Sequence, residues 1–237
     1  MTPILELQGV SAGYVEEAIV RDLSILFPTG TITTLIGPNG AGKSTVLRTI
    51  YGQTRMISGR VLLDGRDIDR ATPAERLGIG VGFVPQGRCN FPHMTVAENL
   101  ELAGWSLARG VRAEARARVL DQFPVLRTRL SVLAGNLSGG EQQILEMAMV
   151  LEARPRLMLL DEPSLGLSPI NQGHVFETIA NIRNEGVTVI MVEQNTQGAL
   201  AVSDTAVVLE LGQLFMQGTA REVLNDARVR TAYLGAD

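Results

Sequence analysis

The period of apolar and polar positions changes several times along this 237-residue chain, and each change predicts a different kind of element. Between residues 4 and 36 the apolar positions fall in short β-branched runs separated by turn residues, which predicts strands at 4–10, 19–27 and 31–36. A further strand is expected at 60–64, ending on an Asp64-Gly65 turn. A short apolar run at 81–85 reads as a buried strand. From 95 to 134 no strand pattern occurs. Thr95 with Glu98 forms a capping-box signature, and Val96, Leu100, Ala103 and Leu107 then recur at helical spacing. The stretch ARGVRAEARARVLDQF, rich in Ala and Arg, also predicts helix.

From residue 138 the pattern alternates. Helix is expected at 141–153, 169–184 and 197–202, and strand at 157–160, 187–192 and 205–210. Such alternation predicts a mostly parallel sheet with helices packed on it, an α/β fold. The tail 220–237 reads as a peripheral helix. Residues 1–86 and 138–237 are therefore expected to form one α/β core, with an α-helical subdomain, 87–137, inserted into it.

Composition narrows the class. Apolar residues make up 45% and charged residues 19% of the chain, enough to bury a sizeable core. A net charge of −4 argues against a nucleic-acid-coating protein. Cys89, the single cysteine, has no internal disulfide partner and suits a reducing compartment. The start, MTPILELQGV, shows no basic and apolar leader pattern, so no secretory signal is expected. The longest apolar runs are strand-length, whereas a membrane-spanning helix needs about 20 apolar residues. The 21 basic residues are 20 Arg and one Lys, and that Lys43 lies in GPNGAGKST.

Gly37, Pro38, Asn39, Gly40, Ala41, Gly42, Lys43 and Ser44 fit the spacing G-x-x-x-x-G-K-[ST], after an apolar strand and before a helix. Glycines let successive backbone N–H groups turn toward an anion, and the helix N-terminus adds partial positive charge. Lys43 is placed to reach the β- and γ-phosphates of a nucleotide, and the Ser44 hydroxyl to ligate Mg²⁺. Thr45 extends the phosphate-binding set. Further on, the apolar run 157–160 ends in Asp161-Glu162-Pro163. At a strand end beside a phosphate loop, Asp161 suits Mg²⁺, and Glu162 suits polarisation of an attacking water. Ser138, Gly139, Gly140 and Glu141 precede a helix. They serve as a capping box, as an anion-binding turn, or as both.

The order of these segments, phosphate loop, then LSGGEQ, then DEP, resembles the nucleotide-binding subunits of ABC transporters nearly end to end. The resemblance implies a P-loop NTPase fold of the ABC type, with an N-terminal antiparallel β-subdomain and an inserted helical subdomain. It implies ATP and Mg²⁺ as cofactors and a head-to-tail dimer, homo- or heteromeric, in which Ser138, Gly139, Gly140 and Glu141 meet the partner's ATP. Tyr14 matches the aromatic that stacks on adenine. Gln86, in FVPQ, matches the glutamine that contacts Mg²⁺ and water and links core to helical subdomain. Two transmembrane permease subunits complete such a transporter, which places the chain on the cytoplasmic face of the membrane.

Two positions depart from the wider family. Gln194, in VEQN, stands where a His ordinarily holds the γ-phosphate, and Leu167 stands where many relatives carry Asp. Neither His93 nor His174 matches the missing His. A Gln amide donates a hydrogen bond but carries no charge, so active but slow hydrolysis is expected. DEPSLGLSP, VEQN, QGRCNFPHMTVAENL, QFPVL and the terminal AYLG together resemble the second ATPase subunit of branched-chain amino acid importers of the LIV type. That branch adds an indirect periplasmic binding protein. A urea or amide importer ATPase, a soluble ABC protein without transport, and a nucleotide-binding module without turnover are the alternatives.

Overall fold

A computed structural model of the chain describes residues 2–231. The elements run β1 (Pro3–Gly13), β2 (Val20–Pro28), β3 (Ile32–Ile36), α1 (Lys43–Tyr51), β4 (Arg55–Leu63), β5 (Arg66–Asp67), α2 (Pro73–Gly78) and β6 (Val81–Val84). The helical segment follows as α3 (Val96–Ala103), α4 (Arg109–Gln122), α5 (Pro124–Arg127) and α6 (Gly139–Glu152). The chain then alternates through β7 (Leu157–Asp161), α7 (Pro169–Asn184), β8 (Thr188–Val192), α8 (Thr196–Val202), β9 (Thr205–Glu210), β10 (Gln213–Thr219), α9 (Ala220–Asn225) and α10 (Ala227–Val229).

Two sheets result. The first, in the order β2-β1-β4-β5, is antiparallel throughout. The second, in the order β10-β9-β3-β8-β7-β6, is parallel except where β10 returns against β9. Every residue of β3, β6, β7 and β8 is buried, as expected of parallel strands covered on both faces. Alternate residues of one strand serve different cores. Leu157 and Leu159 pack with α1 and the antiparallel sheet, whereas Met158 and Leu160 pack with α3, α4, α6 and α7.

Register positions the site. Val84 of β6 pairs with Leu160 of β7, and Asp161 pairs with Val192 of β8. Leu35 of β3 pairs with Val192 on one side and Val207 on the other. The carboxyl ends of β6, β7, β8 and β3 therefore finish level, and the loops leaving them share one edge of the sheet, the usual place for ligands in open α/β sheets.

Several expectations need correction. The strand expected at 60–64 begins earlier, at Arg55, because its first half pairs with β1 although it is largely exposed. Asp64 and Gly65 both have positive φ, 49° and 72°, which supplies the tight hairpin to β5. Leu107 does not continue the helix from Val96: α3 ends at Ala103, and a 3₁₀ turn over Gly104–Ser106 separates it from α4. Among the described residues, the tail forms two short helices broken at Asp226 rather than one. Residues 232–237, including the AYLG segment, lie outside the described residues. Helix α2, capped by Thr72 and Glu75, and strand β10 were not expected from the pattern, because both are short and largely exposed.

Candidate functional site

The loop between β3 and α1 wraps a cleft of about 450 Å³ lined by Gly40, Gly42, Lys43, Ser44, Thr45 and Glu162, among others. Two of its glycines are sterically required. A Cβ on Gly37 would lie 2.2 Å from the Leu209 carbonyl oxygen, and one on Gly42 would lie 2.7 Å from Val20. Both have positive φ, 146° and 93°, which glycine adopts without penalty. The Lys43 ammonium donates to the carbonyls of Gly37 at 2.8 Å and Pro38 at 3.0 Å, so it folds back over the loop. Burial lowers its pKa, and the nearby Glu162 and Asp161 carboxylates oppose that shift.

Asp161, at the last position of β7, is buried, and its Oδ1 accepts the Ser44 hydroxyl at 2.7 Å. Its Oδ2 has no hydrogen-bond partner and faces the Arg48 guanidinium at 3.8 Å. Burial pushes this carboxyl up, against the Ser44 hydrogen bond and the Arg48 charge. A hydroxyl and a carboxylate with a spare oxygen, meeting at the mouth of a phosphate loop, form a hard donor set suited to Mg²⁺. No group of three or more His, Cys, Asp or Glu side chains placed to hold a metal ion by themselves occurs among the described residues.

Glu162 carries φ +54°, a left-handed conformation uncommon for a side chain of this size. Such a residue stores strain on the order of 1–3 kcal/mol and persists only when its surroundings over-determine it. Its N–H donates to the Val192 carbonyl at 2.9 Å. Its Oε2 accepts two amides, Gln86 Nε2 at 2.8 Å and Gln194 Nε2 at 2.9 Å. The register explains the meeting: Gln86 and Glu162 each lie two residues beyond the Val84–Leu160 pair. Gln194 and Asn39 also border a smaller cleft with Gly37, Pro38 and Lys43.

Tyr14 is half exposed. Its hydroxyl accepts from Arg48 at 3.1 Å, with the guanidinium 6.0 Å from the ring centre. Arg48 therefore spans Tyr14 and Asp161, a role the motif reading did not assign, although its place one turn beyond Ser44 on α1 was a usable signal. Glu193 was missed as well. It is buried and joins Ser164 to Gln194.

The structure does not bring the Ser138 turn to this cleft. Ser138 caps α6 in a capping box with Glu141 and lines a separate hollow of about 360 Å³ with Gly140, Glu141, Asn171 and His174. A Cβ on Gly139 would lie 3.0 Å from Leu167, so the turn packs closely against the segment after β7. His93 and His174 are exposed, and neither borders the phosphate loop.

The ABC transporter family profile matches residues 20–165. The chain is 41% identical, over 98% of its length and all of the relative's, to the high-affinity branched-chain amino acid transport ATP-binding protein BraG of Pseudomonas aeruginosa. It is 37% identical, over 98% of itself and 99% of the relative, to a probable branched-chain amino acid transport ATP-binding protein LivF of Archaeoglobus fulgidus. The lipopolysaccharide export system ATP-binding protein LptB of Haemophilus influenzae is 33% identical, with 98% and 97% covered. Among solved structures, a nucleotide-free ATP-binding cassette from an ABC transporter superposes with a TM-score of 0.88 at 27% identity, covering 99% of this chain and 100% of that one.

Proposed function

The chain belongs to the ABC transporter family as an ATP-hydrolysing subunit coupled to transport, and from that premise we propose that it energises import of branched-chain amino acids. The observation that carries the catalytic part is the convergence on Glu162 of two amides, Gln86 and Gln194, beside Lys43, Ser44 and Asp161. Two relatives named for branched-chain amino acid transport, matched nearly end to end, support the substrate class.

In this reading the backbone N–H groups of 37–45 cradle the ATP phosphates, and the Lys43 ammonium leaves its two carbonyls for the β- and γ-phosphate oxygens. Mg²⁺, held by Ser44, Asp161 and Gln86, would neutralise phosphate charge. Glu162 takes the proton of the attacking water, a general-base contribution of roughly 10²–10⁴-fold. Gln194 and Gln86 orient that carboxylate and the water. Tyr14 offers its ring to adenine. The Ser138 turn lies apart from the chain's own phosphate loop; as in the head-to-tail dimers that the sequence resembles, it would serve the ATP of a second ATPase subunit, the same chain or a similar one. No helix among the described residues is long and apolar enough to cross a membrane. In this reading two permease subunits carry the solute path. The chain docks on their cytoplasmic face, with a periplasmic binding protein delivering solute.

The test is reconstitution. Permease subunits copurified with this chain should support ATP-dependent uptake of labelled leucine into vesicles. Uptake of urea but not leucine would overturn the substrate assignment while leaving the ATPase intact. The relative named for lipopolysaccharide export makes outward transport the further outcome to score in the same vesicles.

A further inference from the structure

Glu193 follows β8 and is 2% exposed, although it carries a carboxylate. Both of its oxygens are engaged. Oε1 accepts the Ser164 N–H at 2.8 Å, and Oε2 accepts the Ser164 hydroxyl at 2.9 Å and the Gln194 N–H at 3.1 Å. Ser164 lies two residues beyond Glu162, and Gln194 is the residue whose side chain reaches Glu162 at 2.9 Å. Two rungs thus join the turn after β7 to the turn after β8: the Gln194 amide to Glu162, and the Glu193 carboxylate to Ser164. The second rung is the buried one.

A buried carboxylate is costly unless hydrogen bonds satisfy it, and a hydrophobic residue would fill this space without that cost. What the carboxylate supplies is acceptance from three donors at once on two adjacent loops. One of those loops holds Glu162 at φ +54°. The other sets where the Gln194 amide points.

We infer that Glu193 is a positioning residue for hydrolysis: it locks the 162–164 turn to the Gln194 turn and so fixes the Glu162 carboxylate and the segment that runs on to Leu167. The inference rests on Glu162 acting as the base in the reading above. Ser164 shares the role through its hydroxyl. Glu193 borders the smaller cleft beside Lys43, but both of its oxygens are taken up by Ser164 and Gln194, so its removal is expected to act on hydrolysis and to leave ATP binding unchanged.

Glu193→Gln is the discriminating variant, because it keeps the volume but turns an NH₂ toward donors that need an acceptor. Ser164→Ala removes one contact from the other side and serves if the first variant folds poorly. Three quantities are measured on the purified chain: steady-state phosphate release, the Kd of a fluorescent ATP analogue, and amide hydrogen exchange of residues 162–167. The expected result for Glu193→Gln is a kcat lower by roughly 10- to 100-fold, an unchanged Kd, and exchange at least about 10-fold faster in 162–167. Ser164→Ala should show the same pattern more weakly, and the double variant should be non-additive. Wild-type kcat with unchanged exchange overturns the inference. So does a kcat that falls only with the folded fraction, together with weakened ATP binding, since that marks a structural role. Glu162→Gln is run alongside. If it turns over like wild type, the base assignment falls and the inference falls with it. If it is inactive while Glu193→Gln is normal, only the inference falls. Should the wild type itself release no phosphate, the exchange arm still decides, and unchanged exchange overturns the tether.

Discussion

The Ser44 hydroxyl donates to Asp161 Oδ1 at 2.7 Å, although 117 positions separate the two residues in sequence. This bond joins the first turn of α1 to the end of β7, and it leaves Asp161 Oδ2 without a hydrogen-bond partner. The pair is expected to confer the Mg²⁺ dependence of ATP binding. Asp161→Asn should lose that dependence, weakening ATP binding in Mg²⁺ by about tenfold, or ~1.4 kcal/mol, while affinity in chelator stays unchanged. Titration with and without Mg²⁺ checks this.

Lys43 is the single lysine, and its ammonium rests on the carbonyls of Gly37 and Pro38. Lys43→Ala should weaken ATP binding by at least about 30-fold, since truncating a buried charged partner costs roughly 2–5 kcal/mol. Lys43→Arg should not restore it, because a planar guanidinium does not replace a compact ammonium in this loop. Equilibrium binding of a fluorescent ATP analogue measures both variants.

Gln86 and Gln194 donate to the same oxygen of Glu162. Hydrogen bonds to a charged group are worth about 1.5–3 kcal/mol, so Gln194→Ala should lower kcat by roughly 10- to 100-fold. Glu162→Gln should lower it by roughly 10²–10⁴-fold while retaining ATP. Gln194→His should raise turnover above wild type if the missing positive charge limits the rate. Phosphate release under saturating ATP separates these outcomes.

Glu152, at the end of α6, is fully buried. Neither of its oxygens has a hydrogen-bond partner, and Arg116 Nε lies 3.5 Å away. Burial raises its pKa from 4.5 to about 7, against the opposing charge of Arg116. The folded state therefore holds a proton that the unfolded state has already released between those values. By linkage, its contribution to stability is complete below pH 4.5 and is lost as pH rises through about 7. Glu152→Met should remove this dependence and stabilise the protein at pH 8 by on the order of 2 kcal/mol, about 4–8 °C in Tm. Thermal melts of both proteins from pH 5 to 8 test the sign.

Cys89 is partly buried, and its thiol is pushed up to about 12, chiefly by burial and then by Glu146. At pH 8 it should hold roughly 10³-fold less thiolate than an ordinary cysteine. Alkylation of the folded chain should therefore be slow and should accelerate in denaturant. Rapid labelling of the native protein would contradict the burial.

The sequence by itself determined the family resemblance and most of the element types. Gly37–Ser44 announces a phosphate loop because its spacing, its flanking strand and its following helix are all local properties. The buried strands after residue 138 were legible because five-residue apolar runs have one stable place, inside a covered sheet. Helix α2 and strand β10 were not legible, since exposed segments are fixed by caps and by a neighbouring strand rather than by apolar period. Tertiary structure alone decided the meetings. Strand register brings Gln86, Glu162 and Gln194 to one oxygen. Helix α1 aims Ser44 and Arg48 at Asp161. Burial makes Glu193 a tether, which no pattern in VEQN reveals, because hydrogen bonds between residues 29 apart depend on which strands pair.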